Sequence, residues 1–281
     1  MRFFDLHNDT ARVCFKTGVM PDDTSLASSF KKGEALVDWS GCFAVFLPEE
    51  NRAPFSEYKS ILSDFKEKIA GFNKPKCVFT VENAAFLNSA YYVDRIAEDE
   101  IKAVTLTWNN ENLLAGGAYS EAPLKPLGKE IIGELNRKKI ALDLSHLNRK
   151  SFFAAGEAAD AVFVNHACCY KTHNHPRNLT DEQIKYIADR GGVIGVCFYP
   201  EFLGTKYSLE GLWRHINHLL NLGIGKSISL GSDFDGADMS ECLDGVDKMP
   251  DLYRFLNSRG LSDELLDGIF FKNAQDFFKM L

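Results

Sequence analysis

The sequence predicts a (β/α)8 barrel of the TIM type, an α/β fold. Three observations lead there. Eight short β-branched or aromatic runs alternate with amphipathic stretches of helical period. Several of the runs are almost continuously apolar, as strands covered on both faces should be. The 281 residues match the roughly 250 that one such barrel uses, and no composition break or linker divides them, so residues 1–281 are expected to form a single domain.

In chain order the first strand is expected at Phe3 to Asp9, followed by a loop rich in Gly, Ser and Pro from Pro21 to Trp39. Strands at Cys42 to Leu47 and Cys77 to Glu82 flank a helix at Phe55 to Phe72. The fourth strand, Ile101 to Thr107, leads into a second long loop, Asn109 to Pro126, and a helix at Gly128 to Lys138. Strands at Ile140 to His146 and Ala161 to His166 come next. Thr180-Asp181-Glu182-Gln183 then starts a helix running to Arg190, because Thr180 can cap it and Gln183 sits three residues on. Val193 to Tyr199, a helix at Leu209 to Leu222, Ser227 to Asp233 and a closing helix from Asp263 to Met280 complete the set.

Composition excludes several classes of function. Thirty-two basic against 39 acidic residues give a net charge of −7, and no block of Lys or Arg could track a phosphate backbone, so nucleic acid is not an expected partner. The longest apolar runs, such as Val193 to Phe198, fall far short of the roughly 18 residues that span a bilayer. Asp5, His7 and Asp9 interrupt the start where a signal peptide would be apolar. Seven cysteines without a C-x-x-C pair indicate reduced thiols rather than a disulfide framework. The adjacent Cys168 and Cys169 read as small buried hydrophobes. A soluble, cytoplasmic protein without membrane contact is the expectation.

The chemistry lies where polar residues stop the apolar runs. Strand one ends in His7-Asn8-Asp9, strand three in Glu82, strand five in Ser145-His146, strand six in Asn165-His166 and strand eight in Ser232-Asp233. In a barrel these ends share one rim and converge on one site. His7 and Asp9 are two apart, a chelating spacing on a strand. With Glu82, His146 and His166 they make a set of imidazoles and carboxylates suited to a pair of borderline divalent cations about 3.5–4 Å apart, with Zn2+ favoured. Taken singly, each is more often a hydrogen-bonded structural residue than a ligand. Together they would be a costly rim of buried ionisable groups without a cation or partners to compensate them. Asp233, between glycines in Gly231-Ser232-Asp233-Phe234-Asp235-Gly236, reads as a proton carrier beside the metals, or as a turn residue. Arg177 follows His173-Asn174-His175-Pro176, where its guanidinium can clamp a carboxylate or pair with a loop acid. His173 and His175 lie beside it, in reach of a substrate, whereas His215 and His218 read as packing or surface residues of a helix.

These segments resemble the membrane dipeptidase family, peptidase family M19, over nearly the whole chain. They are DLHND (5–9), TVEN (80–83), LTWNNEN (106–112), LDLSHL (142–147), VNHACCY (164–170), HPRNLTDEQI (175–184), GGVIGVCFYP (191–200) and GSDFDG (231–236). The resemblance implies a (β/α)8 metallohydrolase with two zinc ions. His7 and Asp9 match the first pair of ligands, Glu82 the bridging carboxylate, and His146 and His166 the imidazoles of the second ion. Asp233 matches the residue that handles the proton, and Arg177 the arginine that receives the substrate's terminal carboxylate. Homodimers are usual among such proteins.

The chain departs from the family pattern in two places. Asn83 and Ala84 stand where glycines commonly follow the bridging glutamate, and Trp108 stands where a histidine contacts the scissile group. Trp has an N–H donor but cannot take a proton, and Trp108 can instead wall the substrate side-chain pocket. The expected reaction is hydrolysis of a dipeptide amide by a water shared between the cations, with Asp233 passing its proton to the leaving nitrogen. Two alternatives stay open: a related binuclear hydrolase of N-acyl amino acids, lactones or esters, and a non-catalytic metal- or peptide-binding module.

Overall fold

The computed structural model describes residues 1–51, 54–206 and 208–281. Eight parallel strands close into a barrel in sequence order. They are β1 (Arg2–Asn8), β2 (Asp38–Phe46), β3 (Lys76–Glu82), β4 (Ala103–Thr105), β5 (Ala141–Asp143), β6 (Val162–Ala167), β7 (Ile194–Val196) and β8 (Ile228–Leu230). Pairing of Asp5 with Leu230 completes the ring between β1 and β8. Around it lie α1 (Thr10–Thr17), α2 (Pro54–Ile69), α3 (Ala90–Glu98), α4 (Pro126–Arg137), α5 (Arg149–Ala158), α6 (Asp181–Asp189), α7 (Pro200–Leu203), α8 (Ser208–Asn221), α9 (Met249–Ser258), α10 (Asp263–Asp267) and α11 (Asn273–Lys279). The capping box expected at Thr180 and Gln183 starts α6.

Order and number of strands match the sequence expectation, but β4, β5, β7 and β8 are only three residues long. After β5 and β8 the polar residues that end the apolar runs leave the ladder rather than extend it. His146 and Asp233 take the left-handed conformation, with φ of 66° and 65°, which pairing in a sheet does not permit. Trp39, placed in a loop by its neighbours, is buried in β2, which begins four residues earlier than expected.

The barrel interior is apolar at its floor and polar at its mouth. Phe4, Leu6, Cys42, Ala103, Ala141 and Phe163 fill the floor, and Phe271 and Phe277 close it from below. The closing helix expected from Asp263 to Met280 is interrupted by a π-helical turn at Gly268–Lys272. That wider turn buries Ile269, Phe270 and Phe271 in succession, which a regular α-helix would spread around its circumference. Phe270 and Phe271 meet Phe3 and Phe4 at ring centroid distances of 6.5 and 6.3 Å.

Two strand irregularities aim the mouth. Between Asp5 and Asn8, β1 has one residue more than its partner segment Gly41 to Phe43. Between Val164 and Ala167, β6 has one more than Ile194 to Val196. An extra residue suspends the strict alternation of faces and re-aims side chains. Leu6 can therefore join the floor while His7 turns to the mouth, and the adjacent Asn165 and His166 both reach it. Among the described residues no helix is long and apolar enough to cross a membrane.

Gly231, just past β8, has no room for a side chain: a Cβ there would run into the carbonyl of Asn165. We expect Gly231→Ala to cost roughly 3 kcal/mol of folding stability, read by denaturant titration. A neutral result would mean that the β6–β8 contact is looser than described.

Candidate metal centre

His7, Asp9, Glu82, His146, His166 and Asp233 come together at the barrel mouth in three overlapping groups. One is His7, Asp9 and Glu82; another is Glu82, His146 and His166; a third is His7, His166 and Asp233. The donor atoms within each group lie within 4.8 Å of one another. Asp9 is not on β1, as its spacing from His7 suggested, but stands at the N-terminus of α1. Backbone comes unusually close here, since a Cβ on Gly236 would collide with the carboxylates of Asp9 and Asp233.

A layer of buried polar residues orients these groups. Asp143 accepts hydrogen bonds from Thr105 Oγ1 (2.9 Å), Ser145 N (3.0 Å) and Asn165 N (3.1 Å). Asp5 accepts from Ser232 N (2.8 Å) and Ser232 Oγ (2.6 Å). The two carboxylates thus anchor the turns that carry His146, His166 and Asp233. Asn165 touches two of the imidazoles directly, with Oδ1 2.7 Å from His166 Nδ1 and Nδ2 2.7 Å from His7 Nδ1. Asn109 Oδ1 lies 3.1 Å from His146 Nδ1. An amide oxygen at Nδ1 fixes the rings of His146 and His166 and leaves each Nε2 facing the centre, whereas His7 Nδ1 meets the amide N–H of Asn165.

Sequence reasoning missed Asn165, Asp5 and Asp143 as parts of the site. Only their place in or beside the polar strand ends hinted at it. Asn83, one of the two departures from the family pattern, explains itself. Its φ of 62° suits Asn almost as it does Gly, and its side chain donates to Leu47 O (2.7 Å) and accepts from Asn112 (3.2 Å), tying the loops after β2, β3 and β4.

The donor spacing fits a cation. Atoms each about 2.1 Å from a tetrahedral ion stand about 3.4 Å apart. His7 Nε2 is 3.4 Å from Asp9 Oδ2 and 3.5 Å from Glu82 Oε2. His7 Nε2 and Asp9 Oδ1 are buried with no hydrogen-bond partner, which is costly unless an ion satisfies them. The other group is tighter: His146 Nε2 lies 2.7 Å from Glu82 Oε1 and 3.0 Å from His166 Nε2. There an ion requires the donors to part by about half an ångström. Glu82 offers one oxygen to each side.

Electrostatics divides the imidazoles. Burial opposes charge on His7, but the carboxylates of Glu82, Asp9 and Asp233 outweigh it and hold its pKa up at about 10. Burial, with Arg177 and His7 nearby, pushes His146 and His166 well below the ordinary histidine value. They are neutral donors already. Burial also raises the carboxyls of Glu82 and Asp233 against the pull of His7.

Arg177 is buried and faces the centre rather than a loop acid. Its Nη2 lies 2.9 Å from His166 Nε2, its guanidinium sits 5.3 Å from the Phe202 ring, and its Nε is unpartnered. Trp108 walls the same cavity, 5.4 Å from Phe46 and 6.3 Å from His146 between ring centroids. His173 does not line the cavity; its neighbour His175 does. The carbonyl of His173 accepts from Asn178 Nδ2 (3.0 Å) and its ring packs on Gly204, which turns it aside. Cys168 and Cys169 are buried, with thiol pKa values raised by burial. His215 packs between Cys169 N (3.0 Å) and Leu203 O (3.4 Å), and His218 pairs with Asp181 (2.7 Å). The cavity over the centre has a volume of about 760 Å³.

Comparison with known proteins agrees with this geometry. Residues 59–280 match the family model of the membrane dipeptidases, peptidase family M19, and the chain belongs to that family. His7 and Asp9 lie outside the matched segment, so their convergence with the rest is an observation of the structure alone. An uncharacterised dipeptidase of Schizosaccharomyces pombe is 34% identical over 178 residues, covering 59% of this chain and 44% of that protein. The matched region is thus under half of that relative's length. Among solved structures, the family M19 metallopeptidase described as dipeptidase AC superposes with a TM-score of 0.90 at 20% identity, covering 99% of this chain and 98% of that one. A metallopeptidase of Rhodobacter sphaeroides, liganded with a phosphinate mimic of the dipeptide L-Ala-D-Ala, does so with a TM-score of 0.85 at 20% identity, covering 99% of both chains. At that identity the two share the fold.

Two outcomes follow for metal binding. Asn165→Ala frees both rings and is expected to weaken metal affinity about 10–100-fold, measured by competition with a chromophoric chelator; unchanged affinity would deny Asn165 its orienting role. Because neighbouring carboxylates raise His7 and burial raises Glu82, loading is expected to displace protons, and affinity to rise with pH through neutrality. Calorimetry in buffers of different ionisation enthalpy reads this directly, and proton-neutral binding would contradict it.

Proposed function

We propose that this protein is a metal-dependent dipeptidase that uses two divalent ions, zinc by preference, and cleaves the amide of a dipeptide with a free terminal carboxylate. One observation carries this reading: two donor groups that share Glu82 lie in the same cavity as a buried arginine and an aspartate raised toward neutrality. His7, Asp9 and Glu82 would hold one ion, and Glu82, His146 and His166 the other. When bound, the ions supply Lewis acidity and lower the pKa of water into the neutral range.

The chain's own residues do the rest. Arg177 receives the terminal carboxylate, for which its planar fork is suited, and so sets the register of the scissile bond. Asp233 stands 3.7 Å from His7 Nε2, and its side chain is 14% exposed to the cavity. Burial raises its carboxyl, so that it can both take a proton and give one back near neutral pH. The leaving nitrogen needs that proton to depart. Trp108 and Phe46 form the apolar wall. Trp108 cannot act as an acid or base, so the proton traffic falls to Asp233. The same wall also fits an acyl chain, which makes N-acyl amino acids the second substrate class.

The test is a panel of L,L and L,D dipeptides with N-acyl amino acids and lactones at equal concentration, on metal-loaded protein. Release of free amino acids from dipeptides is expected. Arg177→Gln should raise KM at least 10-fold, because a charged hydrogen bond to carboxylate is worth about 1.5–3 kcal/mol. Asp233→Asn should lower kcat about 100-fold or more with metal retained. Full activity in Asp233→Asn would refute the proton-transfer assignment.

A further inference from the structure

The helix after β1 presents a face that the proposed reaction leaves unused. Arg12, Val13, Lys16 and Thr17 of α1 line the same cavity as Glu82, His146 and Arg177, at the one-, four- and five-residue spacing of a single helix face. Arg12 Nη1 donates to Glu57 Oε1 at 3.1 Å, and Lys16 Nζ lies 2.9 Å from that same oxygen. The other carboxylate oxygen of Glu57 accepts from Asn51 Nδ2 at 2.5 Å. One carboxylate therefore serves two cations, so these three side chains carry a net charge of 2 − 1 = +1. Glu57 itself does not line the cavity.

Arg12 is held in place rather than free to wander. Its guanidinium lies 5.3 Å from the Phe46 ring centroid, Nη1 also donates to Phe46 O at 3.2 Å, and the side chain is only 20% exposed. A partly desolvated, prepositioned guanidinium recognises a carboxylate far better than a mobile surface cation does. Its place in the barrel decides which part of a substrate it meets. Arg177 follows β6 and α1 follows β1, three strands further round the closed ring, with the donor groups between. A substrate whose terminal carboxylate rests on Arg177 and whose amide lies at the centre directs its amino-side residue toward α1. Glu201 and Asp238 line the β7–β8 side, where a free amine is welcome.

We propose that the preferred substrate carries a second anionic group, Asp or Glu on the amino side of the scissile bond, received by Arg12 and Lys16. This rests on the dipeptidase reading above. The methylene stem of such a side chain lies along Phe46, and its carboxylate supplies the counter-charge that Glu57 leaves short.

The test compares kcat/KM for Glu-Ala with Gln-Ala, and Asp-Ala with Asn-Ala, on the metal-loaded full chain. The acid-to-amide ratio should be about 10, mostly through KM, as a charge-assisted hydrogen bond provides, and should shrink with added salt. Arg12→Gln combined with Lys16→Gln should bring the ratio close to one. Glu57→Gln, which frees both cations, should raise it, so the claim stays testable should the double variant fold poorly. A wild-type ratio of one or less, or a ratio unmoved in both the double variant and Glu57→Gln, overturns the proposal while leaving the dipeptidase reading intact. No turnover of any dipeptide overturns that reading and this proposal with it.

Discussion

Three carboxylates packed around one buried imidazole are the constraint on which this molecule depends. Asp9, Glu82 and Asp233 lie within 3.4 to 3.7 Å of His7 Nε2, all but closed off from water. Like charges at that spacing in a low dielectric repel strongly, so without a cation the cluster takes up protons on His7 and on carboxyls that burial raises. A bound cation would take the place of those protons. Glu82, shared between two of the donor groups, offers one carboxylate oxygen to each.

The rest of the barrel serves that cluster. An apolar floor sealed by Phe271 and Phe277 excludes water from below, so the polar network above it faces only the cavity. Bulged strands β1 and β6 present His7, Asn165 and His166, which unbroken alternation would have divided between two faces. His146, Asp233 and Asn83 all hold left-handed backbone, which costs His146 about 1–2 kcal/mol and the short polar side chains of Asn83 and Asp233 less. Hydrogen bonds donated to the carboxylates of Asp5 and Asp143 and to the carbonyl of Leu47 fix the turns on which they sit. Strain of this kind is retained where geometry matters more than stability.

Much of this was legible in the sequence, for identifiable reasons. Strands buried on both faces write themselves as apolar runs, and the residue that ends each run is visible at once. Hence the barrel, and the approach of His7, Glu82, His146, His166 and Asp233, could be anticipated. What could not be read was orientation. Bulges leave no mark in a single sequence, so Asn165 looked like a neighbour of a ligand rather than the residue that holds two of them. Asp9 was expected on a strand and stands at a helix start instead. His173 and His175 are equivalent by composition, and only the packing of His173 against Gly204 tells which of them faces the cavity. Helix α1 was not foreseen, which hid the cationic face of Arg12 and Lys16.

Anomalous diffraction from crystals of metal-loaded protein would locate the ions at the barrel mouth. Two peaks are expected at the barrel mouth about 3.5–4 Å apart, with the Glu82 carboxylate between them, His7 and Asp9 on one and His146 and His166 on the other. A single ion, or ions bound elsewhere with these side chains left as they are, would contradict this placement.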